Sequence, residues 1–231
     1  MASEVRNPSV GLLLSGGLDS SILLGHLLDE GYRVRPFYVD SGLFWQGEEL
    51  AAANAFLDAM ACRRLDNLVS LKLPLGDVYD DHWSVTGRDV PDAHTSDSAV
   101  YLPGRNALLI IKAALWCQLH DIERLALAVL ESNPFADTTD AFFDEFDSAL
   151  SRATGSRLTI WRPFGGMDKE EVMELGRRLP LHLTFSCIAP VSGMHCGRCN
   201  KCAERMAAFR LIGMNDPTRY FHPILPEQAN A

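Results

Sequence analysis

A short run of small and polar residues after the first apolar segment constrains the fold of this chain more than any other feature. Residues 10–14 are aliphatic and predict a buried strand, while Ile22, Leu23 and Leu27 have the spacing of one helix face. Between them lies Ser-Gly-Gly-Leu-Asp-Ser, from Ser15 to Ser20. A helix N-terminus presents unpaired N–H groups and the positive end of the helix dipole, which suits phosphate. The pattern therefore predicts a phosphate-binding loop, with an ordinary turn capped by serine as the alternative.

The rest of the chain alternates short apolar runs with amphipathic stretches, as in βαβ units on a parallel sheet. We predict strands at residues 10–14, 33–39, 68–73, 125–130 and 158–161. Helices are predicted at residues 20–28, 50–60, 106–119, 138–151 and 168–179, the last opened by an Asp168–Glu171 capping box. Residues 76–104 break this rhythm and are expected to form a lid or binding loop. We expect an α/β domain over residues 1–182 and a zinc-binding segment over residues 183–231.

Charge and hydropathy restrict the partners. The formal net charge is −9 and the chain has no basic run, so nucleic acid is an unfavoured partner. No segment approaches the roughly 20 apolar residues that span a membrane. The first six residues lack the apolar core of a secretory signal. The expectation is a cytoplasmic protein that acts on small molecules.

Four of the six cysteines are clustered near the C-terminus, at Cys187, Cys196, Cys199 and Cys202. Two C-x-x-C steps that share one cysteine, with one further thiol upstream, supply the four ligands of a tetrahedral zinc ion. A zinc ion held by four thiolates has no open position and is structural. An iron–sulfur cluster is the competing interpretation. The other two cysteines, Cys62 and Cys117, stand alone in apolar patterns and are predicted to be buried.

A third motif, Tyr-Leu-Pro-Gly-Arg-Asn at residues 101–106, opens a predicted helix. At the start of that helix, Arg105 and Asn106 could hold a nucleotide phosphate or a substrate carboxylate. Bracing of the preceding loop is an equally good explanation of these two residues.

The Ser-Gly-Gly-x-Asp-Ser loop after the first strand resembles the signature of the PP-loop ATP pyrophosphatases. That resemblance implies a five-stranded parallel sheet of the adenine-nucleotide α-hydrolase type. It also implies cleavage between the α- and β-phosphates of ATP, with Mg²⁺ and transfer of AMP to a substrate oxygen.

All three motifs together resemble the 7-cyano-7-deazaguanine synthase family. Lys169 with Glu171 matches that family's Lys-x-Glu helix, residues 184–187 match its Thr-x-Ser-Cys segment, and the cysteine spacing agrees. The resemblance implies that 7-carboxy-7-deazaguanine is activated by ATP and converted with ammonia to an amide. A second ATP-driven dehydration would then give the nitrile. A homodimer is compatible with this interpretation.

The resemblance and the loop chemistry together give a set of candidate site residues. The candidates for catalysis are Ser15, Asp19, Ser20, Arg105 and Lys169. The candidates for ATP binding are Leu14, Ser15, Gly16, Gly17, Leu18, Asp19, Ser20, Ser21, Ile22, Leu23, Leu24, Asp40, Arg105 and Asn106.

Two segments depart from the family pattern. Residues 40–45 read Asp-Ser-Gly-Leu-Phe-Trp where the family has Asp-Tyr-Gly-Gln and a histidine, and residues 131–137 replace the segment that contacts the deazaguanine. Trp45 and Phe135 are placed either to stack on a flat heterocycle or to pack in the core. Asn133 and Asp137 either read a purine-like edge or cap the loop.

Three alternative functions arise from these departures. One is a related ligase that joins a deazaguanine carboxylate to a protein or another amine and stops at the amide. Another is a sulfur-inserting or lysine-attaching enzyme that acts on tRNA, which the acidic charge disfavours. The third is a non-catalytic module that binds zinc and a nucleotide.

Overall fold

Five short strands form one parallel sheet at the centre of the protein. They are β1 (Ser9–Leu13), β2 (Arg33–Asp40), β3 (Val69–Lys72), β4 (Arg124–Ala126) and β5 (Thr159–Trp161). Their order across the sheet is β3-β2-β1-β4-β5, and every pairing is parallel. The predicted five-stranded α/β fold is therefore confirmed. The computed structural model describes residues 8–155 and 157–222, so the expectation for the first six residues lies outside it.

Helices cover both faces of the sheet. They are α1 (Leu18–Asp29), α2 (Gln46–Ala59), α3 (Gly76–Tyr79), α4 (Trp83–Thr86), α5 (Arg105–Leu119), α6 (Asp140–Thr154), α7 (Lys169–Leu175) and α8 (Asn200–Leu211). One core cluster packs α1, α2, α7 and α8 against the sheet, and a second packs α5 and α6 against the opposite face. Among the described helices, none is both long and apolar enough to cross a membrane.

Strand β4 is shorter than predicted: it ends at Ala126 and not at residue 130. The apolar alternation continues beyond the strand: Leu127 and Val129 enter the α5–α6 core, while Leu130 enters the other core. This alternation has the same period in sequence as a paired strand, so the sequence does not show where pairing ends. The Leu127 N–H still donates to the Trp161 carbonyl of β5 over 2.9 Å, and residues 127–129 border a cavity at the edge of the sheet.

Helix α7 also ends earlier than predicted, at Leu175. The predicted capping box at its start is confirmed, because Asp168 accepts a hydrogen bond from the Glu171 backbone N–H and Glu171 accepts one from Asp168. At the other end Gly176 lies against Ile22 of α1, where a built Cβ would be 2.7 Å from the Ile22 side chain. The helix therefore stops at a close contact with α1.

Residues 76–104, predicted to be a lid or binding loop, contain α3, α4 and a 3₁₀ helix at Asp97–Val100. The segment is bonded to the cysteine-rich region: the Ala93 N–H donates to the Arg198 carbonyl over 2.9 Å, and the Asn200 N–H donates to the Pro91 carbonyl over 3.0 Å. Val100 and Leu102 are buried in a third apolar cluster around the cysteines. The segment is therefore regular structure that packs against the cysteine-rich region.

Of the two isolated cysteines, Cys117 is buried as predicted, but Cys62 is exposed and that prediction is wrong. Cys62 lies beyond the end of α2, in a turn, so the apolar periodicity of the helix no longer applies to it. Cys117 packs directly on Gly11 of the central strand β1.

We expect Gly11→Ala to destabilise the fold by about 1–3 kcal/mol, because an added methyl overpacks the sheet–helix contact. Its Cβ would lie 2.7 Å from Cys117 Sγ and 2.9 Å from the Phe37 ring. Gly47→Ala is the control, since nothing lies within 4 Å of a Cβ built there. Denaturant unfolding should show a loss for the first variant and none for the second. Equal stability of the two variants would contradict the packing argument.

Candidate active site

The loop between β1 and α1 is a tight turn that leaves the start of α1 without a side-chain cap. Gly16 has a φ of +78°, and a Cβ there would lie 2.7 Å from the Glu49 carbonyl, so this position demands glycine. Gly17 is the N-cap of α1 and no side chain caps the helix. The alternative of a serine-capped turn is therefore wrong, and the helix N-terminus is open to a ligand.

The two loop serines stabilise this turn from within. The Ser15 and Ser20 hydroxyls are 3.0 Å apart, and the Ser20 Oγ accepts a bond from the Ser15 backbone N–H over 3.2 Å. Ser15 Oγ in turn accepts from the Gly17 N–H over 3.3 Å. The backbone and hydroxyl donors are thereby held together before any ligand arrives.

Asp19 of this loop forms an ion pair with Lys169, 150 residues later in the chain. Lys169 Nζ lies 2.6 Å from Asp19 Oδ1 and 3.8 Å from Glu204 Oε1. Burial favours the neutral amine, but the two carboxylates outweigh it and raise the pKa of Lys169 above its ordinary value. Lys169 is therefore a cation at neutral pH.

Arg105 and Asn106 begin α5, directly opposite the loop. The Asn106 backbone N–H donates to Asp137 Oδ2, and its side-chain amide donates to the Asp137 carbonyl, both over 3.3 Å. Loop bracing is therefore what Asn106 and Asp137 do in this structure. The Arg105 Nε is buried and has no hydrogen-bond partner among the described residues. An anionic ligand would supply that missing acceptor.

These elements enclose a cavity of about 290 Å³ at the carboxyl ends of β1 and β4. The predicted site residues that line it are Ser15, Gly17, Leu18, Asp19, Ser20, Arg105, Asn106 and Lys169. Parallel sheets bind ligands at this edge, where the strand order reverses.

Other predicted ATP-binding residues do not reach this cavity. Six of them are buried and do not line the cavity: Leu14, Gly16, Ser21, Ile22, Leu23 and Leu24. Asp40 lies outside the lining and accepts a hydrogen bond from the Gly42 N–H over 3.2 Å. The structure makes them supports of the loop, and direct contact of these residues with ATP stays a prediction.

The aromatic candidates have two roles each. Trp45 is 3% exposed and stacks on Trp83 with centroids 5.8 Å apart, yet its edge lines the cavity. Phe135 stacks on Tyr101 at 4.9 Å and lines a neighbouring cavity. Both residues therefore pack against protein aromatics and also border space for a ligand.

Several cavity residues were not identified from the sequence, among them Glu49, Lys201, Glu204 and Arg205. Glu49 accepts hydrogen bonds from Trp45 Nε1 over 3.1 Å and from the Tyr38 hydroxyl over 3.2 Å. Burial raises the pKa of Glu49, against the opposing effect of the Arg105 guanidinium. The sequence offered one indication that Glu49 lies in the site: it follows β2, and residues after parallel strands lie at the edge of the sheet where ligands bind.

Arg205 is 1% exposed and joins the cysteine-rich segment to the main domain. It donates to Thr218 Oγ1, Thr184 Oγ1, Ser186 Oγ and the Leu181 carbonyl over 2.6, 2.8, 3.2 and 3.0 Å. A buried guanidinium is tolerated only with such a set of acceptors. The loop is attached to the same segment, because the Phe185 N–H donates to the Gly16 carbonyl over 2.8 Å. The division of the chain at residue 182 stays a prediction.

The four clustered cysteines are arranged as ligands of one metal ion would be. All are buried, with their Sγ atoms within 4.8 Å of one another. The Cys187–Cys199 and Cys196–Cys202 sulfurs are 3.8 and 3.9 Å apart. A tetrahedral zinc ion with Zn–S bonds of about 2.3 Å requires sulfurs about 3.8 Å apart. The geometry fits zinc with all four positions filled.

Backbone N–H groups point at two of these sulfurs, as expected for thiolates. Cys187 Sγ accepts from the N–H groups of Ala189 and Cys196, each over 3.3 Å. Nearby, burial lowers the pKa of His195 to about 3. The neutral ring of His195 accepts a bond from the Ser186 N–H through Nε2 over 3.1 Å.

Comparison with known proteins agrees with this arrangement. The model of the family described as queuosine biosynthesis protein QueC matches residues 10–213. The chain belongs to this family.

Curated relatives include the 7-cyano-7-deazaguanine synthase of Chlorobium luteolum, 31% identical over 90% of this chain and 95% of that one. The enzymes of Methanopyrus kandleri and Chlorobaculum tepidum are 31% and 27% identical over 90% of this chain, and the matches cover 97% and 95% of their own length. The resemblance stated from the three motifs is thereby confirmed.

The match to the family model covers both the Ser-Gly-Gly-x-Asp-Ser loop and the four cysteines of this QueC-family chain. Its unusual segments are residues 40–45 and 131–137. In the structure both come after strands, β2 and β4, at the edge of the sheet where the cavity lies. Each segment contributes one residue to the lining of that cavity, Trp45 from the first and Asn133 from the second.

We predict one zinc ion per chain. Cys199→Ser should lose the metal together with solubility and stability, because binding by four thiolates is coupled to local folding. Cys62→Ser is the matched control, since Cys62 is exposed and remote from the cluster. Elemental analysis with thermal unfolding measures both effects. Iron in the wild-type protein, or full stability of Cys199→Ser, would contradict the assignment.

Proposed function

We propose that this QueC-family chain is an ATP-dependent ligase. It would adenylate 7-carboxy-7-deazaguanine and convert it with ammonia to 7-cyano-7-deazaguanine. The observation that carries the proposal is the convergence in one cavity of the open loop of α1, the Asp19–Lys169 pair and the unpartnered Arg105 Nε. The named activity of the relatives supplies the substrate.

The loop is suited to hold the pyrophosphate that leaves. When the substrate carboxylate oxygen attacks the α-phosphorus, the bond to the β-phosphate breaks and negative charge grows on the leaving group. The N–H groups at the start of α1 and the hydroxyls of Ser15 and Ser20 are fixed donors for that charge. They are already oriented by mutual hydrogen bonds, so little reorganisation is needed.

The charged side chains divide the remaining work. Lys169 and Arg105 are cations on opposite walls of the cavity, and either neutralises charge on the phosphates. Mg²⁺ prefers carboxylate and phosphate oxygens, so Asp19 is the residue that would hold it. That ion would neutralise charge on the polyphosphate.

The later steps start from the acyl-adenylate. Ammonia adds to its carbonyl carbon and AMP leaves, which gives the amide. A second ATP activates the amide oxygen, and departure of that oxygen on AMP with loss of protons gives the nitrile. A zinc ion on the four cysteines would support the fold and not the reaction, because four protein ligands leave no position for a substrate.

A ligase that stops at an amide with another amine or a protein is the second candidate. The altered segments favour it, because Trp45 and Asn133, which line the cavity, both lie in segments that depart from the family pattern. Neither change touches the loop. The two candidates share the adenylation step and differ only in the fate of the acyl-adenylate.

Product analysis separates these candidates. We expect ATP, 7-carboxy-7-deazaguanine and ammonia to give the nitrile, identified by mass spectrometry, with AMP and pyrophosphate. Accumulation of an amide alone would favour the second candidate. Absence of AMP formation with this acid would contradict both.

The loop assignment predicts that Asp19→Asn and Ser15→Ala each lower pyrophosphate release by about 10²–10³-fold with the fold intact. Ser15→Ala loses a donor to the developing charge and Asp19→Asn weakens the hold on Mg²⁺, and stabilisation of that charge is typically worth about 3–4 kcal/mol in the barrier. Asp29→Asn, at the other end of the same helix, is the control and should be fully active. Near-normal release by both loop variants would show that the phosphates bind elsewhere.

We also expect the acid to bind more tightly when a non-hydrolysable ATP analogue is present. Fixed cations and the bound nucleotide would together form part of the acid's site. Isothermal calorimetry with and without the analogue measures the difference. Equal affinities would mean that the two ligands occupy independent sites.

A further inference from the structure

A second cavity of about 300 Å³ adjoins the first. Its walls are the loop after β4, from Ser132 to Phe135, the side of α8 around Ala207 and Leu211, and Asp97 from the ordered segment before α5. The two cavities share Asp19, Ala128, Asn133, Lys169, Lys201 and Glu204. They are therefore neighbours across a mostly charged boundary.

Two cavities that share a boundary allow two ligands to bind side by side. Pockets for single small ligands run from about 300 to 1,000 Å³, and each of these cavities is near the low end of that range. The reacting atoms of two ligands must approach to about 3–3.5 Å, which places their meeting point at the shared boundary.

The boundary carries two of the four lysines in the sequence. Lys169 is engaged with Asp19 of the phosphate loop at 2.6 Å. Lys201 pairs with Glu204 one helical turn later, at 2.5 Å. The Lys201 side chain is 31% exposed, and an ammonium group has three donors, of which this contact uses one. Lys201 is thus the boundary cation that faces the second cavity without a bond to the loop.

Asp97 is the acidic residue that lines the second cavity without lining the first. Its Oδ1 lies 3.5 Å from the side-chain amide of Asn200. Phe135 and Leu211 add apolar surface to the same lining. A flat ring that carries both a carboxylate and N–H donors matches this combination of a lysine, an aspartate and apolar side chains.

We propose that the second cavity is the seat of the carboxylic acid, with its carboxylate on Lys201, its ring between Phe135 and α8, and its N–H edge toward Asp97. This orientation rests on the proposed function. It presents the carboxylate oxygen to a nucleotide in the first cavity. Lys201 is then a substrate-binding residue that sets the direction of the adenylated group.

A comparison of two ligands isolates the Lys201 contact. Calorimetry would compare 7-carboxy-7-deazaguanine with 7-methyl-7-deazaguanine, which is similar in shape but lacks the charge. The wild-type protein should prefer the acid by about ten- to a hundredfold, the usual effect of a hydrogen bond between charged groups. In Lys201→Met the preference should fall to near one. Lys201→Arg should retain most of it.

The control is Lys112→Met, which removes a lysine from the exposed face of α5 and should keep the wild-type preference. Zinc content and thermal unfolding of each variant show whether the cysteine cluster is intact. A folded Lys201→Met protein that still prefers the acid overturns the assignment, while the proposed function stands. A wild-type protein that binds neither compound overturns the proposed function itself.

Asp97 provides an independent arm of the test. The wild-type protein should bind the acid about tenfold more tightly than the analogue without the 2-amino group, since a carboxylate accepts from that amine. Asp97→Asn should lose this discrimination, and Asp77→Asn, on the exposed helix α3, should keep it. Unchanged discrimination in Asp97→Asn would place the N–H edge elsewhere and reverse the proposed orientation.

Discussion

The reversal of strand order between β1 and β4 is the constraint on which the site depends. All five strands are parallel, so their carboxyl ends share one edge, and the connections from β1 and β4 diverge to opposite faces. That divergence leaves a crevice that the sheet itself cannot fill. The open start of α1, the start of α5 and the residues after β4 all border it, although they are far apart in sequence.

Ion pairs and hydrogen bonds stabilise most of the charged side chains that line this crevice. A buried charge is costly unless it is paired and hydrogen-bonded. Lys169 and Asp19 pair across the cavity, Glu49 is held by Trp45 and Tyr38, and Arg205 has four acceptors. Arg105 is the exception among these side chains, since its Nε has no described acceptor. Arg105 also lines the cavity, so a ligand bound there could supply the acceptor.

The four cysteines are part of the apolar core of the C-terminal region, where they pack with aliphatic and aromatic side chains. A metal ion bound by them would add folding energy to that packing. Helix α8 starts at the cluster, carries Lys201 and Glu204, and packs on the main core through Ala208 and Phe209. A metal bound at its start would therefore help to fix both charged side chains in the cavity wall.

The sequence alone determined the parts that depend on local pattern. Alternating apolar runs predict the parallel sheet, which the structure confirms. A strand, two glycines and a helix in succession predict a phosphate loop, and the spacing of Cys196, Cys199 and Cys202 predicts a metal site. Only tertiary structure decided that β4 stops at Ala126, that Cys62 is exposed, and that Lys201 and Glu204 join Lys169 at one boundary. The reason is physical. Local pattern fixes backbone conformation within a few residues, whereas contacts between distant side chains are set by how the helices pack on the sheet.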